Sequence, residues 1–183
     1  MAKEDGKTVL LVMDVQPGIV ERLDNQDEYL KKIRAAVAAA RKNQIPVIYV
    51  VVGFRPDLPE VNPRNKSFGA IKKAVPAAMI NPQPTLSVED GDIVVVKRRV
   101  SAFSGSDLEV ILRAQDMRHL VLAGIATSGV VLSTVREAAD KDFQLTILSD
   151  LCADFDPEVN SVLLEKVFPR QAEVISSKDW LNV

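Results

Sequence analysis

An acid, an amide, a set of cations and a glycine-flanked helix start each follow an apolar run in this 183-residue sequence. Met13-Asp14-Val15-Gln16 brings the acid and the amide, while Gly53-Phe54-Arg55-Pro56 and Lys97-Arg98-Arg99 bring the cations. Gly124-Ile125-Ala126-Thr127-Ser128-Gly129-Val130 brings the helix start. A carboxyl group such as Asp14 can give or take a proton, and an ammonium such as Lys97 can steady the charge that results. The guanidinium forks of Arg55 and Arg99 match a carboxylate ligand. Each residue also has a plainer use: Asp14 can cap a turn, Lys97 can snorkel from a strand end, and both arginines can be solvated. Gln16 either holds the Asp14 loop or touches a ligand. Thr127 and Ser128 are expected to cap the helix that follows. Lys97 nearby would lower the pKa of Asp14 and burial would raise it, so the sequence leaves acid and base roles open.

Other chemistries are excluded by what is missing. The sequence has no glycine-rich dinucleotide fingerprint and no phosphate-binding P-loop. The one histidine, His119, precedes an apolar run and so belongs at the far edge of a sheet, which removes a histidine-based triad or zinc site. The one cysteine, Cys152, has no histidine partner and reads as a buried structural thiol.

The elements that must position these residues follow from the pattern of apolar runs. Thr8 to Met13, Val47 to Val52, Ile93 to Val96, Leu120 to Ala123, Leu145 to Leu148 and the weaker Ala172 to Ile175 are continuous, not alternating. Continuous runs are the mark of parallel strands covered on both faces. Helical stripes lie between them: Leu30, Ile33, Val37 and Ala40; Leu108, Ile111 and Leu112; Val131, Val135 and Ala138; and Val159, Val162, Leu163 and Val167. Asp24 or Asn25 can cap the first, Ser106 and Glu109 stand at capping-box spacing before the second, and Asp156-Pro157 enters the fourth. The alternation predicts one α/β domain over residues 1–183, a three-layer α/β/α sandwich on a mostly parallel, six-stranded, Rossmann-like sheet. Gly53 to Pro84 is the irregular part, expected to hold a long loop and a short helix over a pocket. Ligands of such sheets bind beyond the carboxyl ends of the strands, where the acid, the amide and the cations fall.

Composition fits this reading. Hydrophobic residues make up 47% and charged residues 26%, enough apolar mass for a sizeable core. A net charge of −2 offers no field for nucleic acid or an anionic membrane. The charged start Met1-Ala2-Lys3-Glu4-Asp5-Gly6-Lys7, the single cysteine and the lack of a spanning apolar run predict a cytoplasmic protein without a membrane partner.

Three segments together resemble the isochorismatase-like superfamily, also called the cysteine hydrolases: Leu10 to Gln16, Val96-Lys97 with Ser101-Ala102-Phe103, and Gly124 to Gly129. This group includes nicotinamidases, carbamoylsarcosine amidases and isochorismatases, and the likeness covers nearly the whole chain. It implies the isochorismatase-like hydrolase fold and a triad of Asp, Lys and Cys, in which Asp14 and Lys97 match the first two members. The third position, three residues after Thr127, is Val130, which has no nucleophilic atom. The resemblance also implies a cis peptide between Ile125 and Ala126 lining the substrate site. The N–H groups of Ala126 and Val130 would then be an anion-binding pair. Family nicotinamidases hold a metal through Asp and His near the second strand. Residues 53–57 contain no histidine, so no metal and no cofactor are expected.

The family's isochorismatases also work without the cysteine: their aspartate protonates the alkene carbon of a vinyl ether, and water adds to the oxocarbenium ion. The resemblance therefore implies a small-molecule hydrolase without covalent cysteine catalysis. Asp14 would be its acid or base, Lys97 its charge stabiliser, and Gln16, Arg55, Ile125 and Ala126 would touch the substrate. The alternative is a catalytically inactive member that binds a ligand or a protein. Assembly is common in the family, so a homo-oligomer is expected.

Overall fold

The computed structural model of the chain describes residues 6–72 and 79–181. Most of the charged N-terminal segment and residues 73–78 of the irregular stretch lie outside the described residues. The six apolar runs become six strands: β1 (Lys7–Met13), β2 (Val47–Val52), β3 (Ile93–Lys97), β4 (Met117–Ile125), β5 (Gln144–Ala153) and β6 (Glu173–Ile175). They form one sheet in the order β3-β2-β1-β4-β5-β6. All its neighbouring strands pair in parallel.

Burial explains why these runs are strands of this kind. Every residue of β2 is buried, as is β1 from Val9 to Met13. Alternate side chains of β1 divide between the two faces. Leu10 and Val12 pack with Leu30, Ile33, Val37 and Ala40 of helix α1 (Gln26–Lys42). Val9, Leu11 and Met13 pack with Leu108 and Leu112 of α3 (Leu108–Ala114) and Val135 and Ala138 of α4 (Leu132–Asp140). The result is the expected helix–sheet–helix sandwich, closed beyond α5 (Pro157–Val162) by α6 (Ser177–Leu181), whose Trp180 packs on the α1 side.

Three local expectations are corrected. Val159 and Val162 are 36% and 40% exposed, so only Leu163 of the fourth stripe is buried and Val167 packs at its edge. The Ser106–Glu109 capping box does not form. Ser106 Oγ donates to the Ala102 carbonyl and accepts from the Leu108 N–H, while Glu109 pairs with Lys141. Asn25 caps α1 by position but makes no side-chain capping bond. Asp156 behaves as expected, accepting from the N–H groups of Glu158 and Val159.

β5 is longer than its apolar core because it bulges: Leu122 pairs with Ile147, but Gly124 already pairs with Cys152. The irregular stretch carries α2 (Lys66–Ile71), capped by the Asn65 side chain. Around it Phe54, Leu58, Val61 and Phe68 pack with Val52 as a separate small core. In that core the Phe54 and Phe68 rings meet edge to face, with centroids 5.8 Å apart.

β1 and β4 are packed tightly at Gly124, where an added Cβ would lie 2.4 Å from the Met13 carbonyl oxygen. Gly124→Ala is expected to prise the two strands apart beside Asp14. Leu122→Ala, at a fully buried position of the same strand, is expected to cost about 2–5 kcal/mol. Urea denaturation of both variants checks this. A Gly124→Ala protein as stable as the parent would mean that the strands do not pack this tightly.

Candidate active site

The chain runs from β1 outward to β2 and β3, then resumes at β4 on the other side of β1. A reversal of this kind leaves a crevice beyond the carboxyl ends of β1 and β4, which is where open parallel sheets bind ligands. Asp14 follows β1 directly, and Ile125 ends β4 with Ala126 just beyond it. Lys97 ends β3, two strands away from Asp14.

The structure brings Asp14 and Lys97 together across β2. Neighbouring strands lie about 4.8 Å apart, so the gap between β1 and β3 is roughly twice that, and only a long side chain closes it. Lys97 Nζ lies 2.9 Å from Asp14 Oδ2, with both side chains buried. The same ammonium donates to the carbonyls of Arg99 at 2.9 Å and Val100 at 3.0 Å. An ammonium has three protons, so Lys97 is fully used and fixed in place. The other carboxylate oxygen, Asp14 Oδ1, is buried and has no hydrogen-bond partner among the described residues. Burial pushes the Asp14 carboxyl up to about 6, against the downward pull of Lys97. Of the two opposed influences left open by the sequence, desolvation is the larger.

Asp14 stands in the left-handed region at φ 56°, where the chain turns out of the sheet while its N–H still bonds the Val50 carbonyl. Gln16 is fully buried, and its amide is taken up by the main chain of Val52. It holds the loop, and both ends of its amide are bonded within the fold.

The arginines gather around a residue that sequence reasoning did not single out. Glu60 Oε1 accepts from the Arg55 N–H and lies 3.5 Å from the Arg55 guanidinium and 3.6 Å from that of Arg98. Arg99 donates to the carbonyls of Glu60 and Arg98 and lies against the Phe68 ring. Arg99 is thus spent on the loop, whereas the Arg55 side chain remains 63% exposed. No spacing rule links Glu60 to three arginines, two of them nearly forty residues away.

At the end of β4 the Ile125–Ala126 peptide is cis. A single π-helical turn, Thr127–Val131, leads into α4. Thr127 and Ser128 do not cap it. The Thr127 hydroxyl is buried without a partner among the described residues, and the Ser128 N–H donates to the Asp154 carboxylate at 2.6 Å, so Asp154 from beyond β5 does the capping. Ile125 and Val130 are each 1% exposed, Val130 packing in the cluster that holds Met13, Ala102 and Phe103. His119 lies at the opposite edge between Thr8 and Thr146. The Cys152 thiol is buried against the Leu122 carbonyl and pushed up to about 12 by desolvation, which leaves it inert as a nucleophile. No helix among the described residues is long and apolar enough to cross a membrane.

Comparison with known proteins agrees across sequence and structure. The profile of the isochorismatase domain matches residues 8–179. The uncharacterized isochorismatase family protein YecD of Escherichia coli O157:H7 is 32% identical, over 96% of this chain and 95% of its own. The uncharacterized isochorismatase family protein YwoC of Bacillus subtilis (strain 168) is 31% identical, over 96% and 93%. The solved structure of an isochorismatase family protein from Burkholderia thailandensis superposes with a TM-score of 0.79 at 29% identity, over 94% of this chain and 93% of that one.

The buried pair makes a test with a definite sign. Lys97→Met removes the partner that holds the Asp14 pKa down, so the Asp14 midpoint is expected to climb above 6 in a carboxyl-carbon NMR titration. Above that midpoint the variant carries an unpaired buried carboxylate and should lose about 3–5 kcal/mol of stability. The loss should shrink as pH falls and Asp14 becomes neutral. A deficit independent of pH would show that the two charges are not coupled.

Proposed function

The chain belongs to the isochorismatase family, and we propose that it is a small-molecule hydrolase that works without a cysteine nucleophile. Val130 stands at the family's thiol position and offers only carbon to a substrate. Water is then the attacking group, and the protein's part is to move a proton and to hold charge.

One observation carries this reading: Asp14 is a half-satisfied carboxyl, with Oδ2 held by Lys97 and Oδ1 buried and unbonded among the described residues. A buried oxygen without a partner costs about 1–3 kcal/mol, a cost that a substrate or water removes. A carboxyl group poised at about 6 exchanges a proton efficiently near neutrality, and the upward displacement favours the acid. In a vinyl ether, Asp14 would deliver its proton to the alkene carbon and water would add to the oxocarbenium ion. The resulting hemiketal collapses to a carbonyl compound and an alcohol. Lys97 stabilises the carboxylate left behind; its protons are occupied, so it acts through position and charge. The main-chain amides of Ala126 and Val130, with Ile125 beside them, serve a developing anion without any nucleophilic side chain. Arg55, Lys97, Arg98 and Arg99 carry four positive charges against two on Asp14 and Glu60, and Arg55 is free to turn to solvent. This supports a substrate bearing a carboxylate.

The close packing of Val130 also suits a ligand-binding protein without turnover. A panel of carboxylate-bearing vinyl ethers and small amides separates the two readings. Asp14→Asn is expected to lower kcat/KM by about 10²–10⁴-fold. The parent's kcat/KM should hold below pH 6 and decline above it, because the acid form is the active one. Equal turnover by parent and variant would remove Asp14 from the reaction. An inactive parent whose Val130→Cys variant hydrolyses amides would replace the hydrolase with the binding protein.

A further inference from the structure

We propose that Gln16 is a positioning residue: its side-chain amide replaces a missing stretch of β1 and so clamps Asp14 opposite Lys97. The β1–β2 pairing ends at Met13 opposite Val50, because the chain leaves the sheet at Asp14. β2 continues for two more residues. The N–H and C=O of one strand residue point to the same side, so those of Val52 face the place that β1 has vacated. Buried main-chain groups need partners. Gln16 supplies both: its Oε1 accepts from the Val52 N–H at 2.8 Å, and its Nε2 donates to the Val52 carbonyl at 3.1 Å. A primary amide offers one acceptor and one donor side by side, as a peptide does. Glutamate would lack the donor when ionised, and leucine would lack both.

The clamp matters because of what lies across β2. Val52 pairs with Lys97 on its other side, and the Gly53 N–H donates to the Lys97 carbonyl. Gln16, Val52 and Lys97 therefore form one transverse tie from the loop after β1 through β2 to β3. Asp14 is fixed at one end by its own N–H on Val50 and two residues later by Gln16. The Gln16 carbonyl accepts from the N–H groups of Ile19 and Val20, which closes the turn behind it. The loop that begins at Asp14 is thus returned to the sheet, with the carboxyl held under cover.

This assignment rests on reading Asp14 and Lys97 as the reacting pair, but its test needs no turnover. The Asp14 carboxyl carbon is followed by NMR in the full chain, its signal identified with Asp14→Asn. In Gln16→Ala and in the bulkier, uncharged Gln16→Met the turn opens and burial is lost. The Asp14 midpoint should fall from about 6 toward its ordinary 3.8, a tenfold or greater rise in its dissociation constant. An unchanged midpoint in a folded variant overturns the proposal. Should both variants fail to fold, hydrogen exchange in the parent decides: the Val52 N–H must be as protected as the other β2 amides, and free exchange there also overturns it. A silent hydrolase panel would sink the proposed reaction and leave the clamp standing.

Discussion

A carboxylate and an ammonium buried side by side at the end of a parallel sheet constrain everything around them. Neither charge is tolerable there alone. Lys97 must reach from β3 over the intervening β2, and the carbonyls of Arg99 and Val100 must take its remaining protons. Asp14 must turn out of β1 without drifting into solvent. The strand order, the left-handed turn at Asp14 and the reversal of the chain beyond Lys97 all serve that one contact.

The pair is balanced unequally, and this gives the site its character. Lys97 is saturated, while one oxygen of Asp14 has no partner among the described residues. The hydrogen-bonding capacity left over at the centre belongs to the acid and not to the base. Burial then outweighs the cation and brings the carboxyl into the range where it can carry a proton. On the proposed reading, a thiol is not required for that.

Much of this was legible in the sequence because it depends on order along the chain. Continuous apolar runs marked all six strands, and their ends marked Asp14, Lys97 and the Gly124–Gly129 turn. What escaped depends on contacts between distant segments. Glu60 gathers Arg55, Arg98 and Arg99, and Asp154 reaches back to Ser128; no local pattern announces either. Gln16 was ambiguous because an amide that bonds main chain and one that bonds a ligand look alike in a sequence. Val159 and Val162 sit at core spacing yet face outward, since periodicity identifies a stripe without saying whether anything covers it. The opposed influences on Asp14 could be named from residue types, but their balance is a matter of solvent exclusion, which only the packed fold sets.

The loop beyond β2 has its own consequence. Phe54, Leu58, Val61 and Phe68 form a miniature core that meets the sheet through Val52, and it carries Arg55 and Glu60 at its rim. Asp14 and Lys97 are placed by the strands, and this segment is tied to them through Arg99, whose guanidinium bonds the Glu60 carbonyl while its own carbonyl accepts from Lys97. On the proposed reading, substitutions in this segment would alter which molecules reach the pair, while the strands that place Asp14 and Lys97 would be kept.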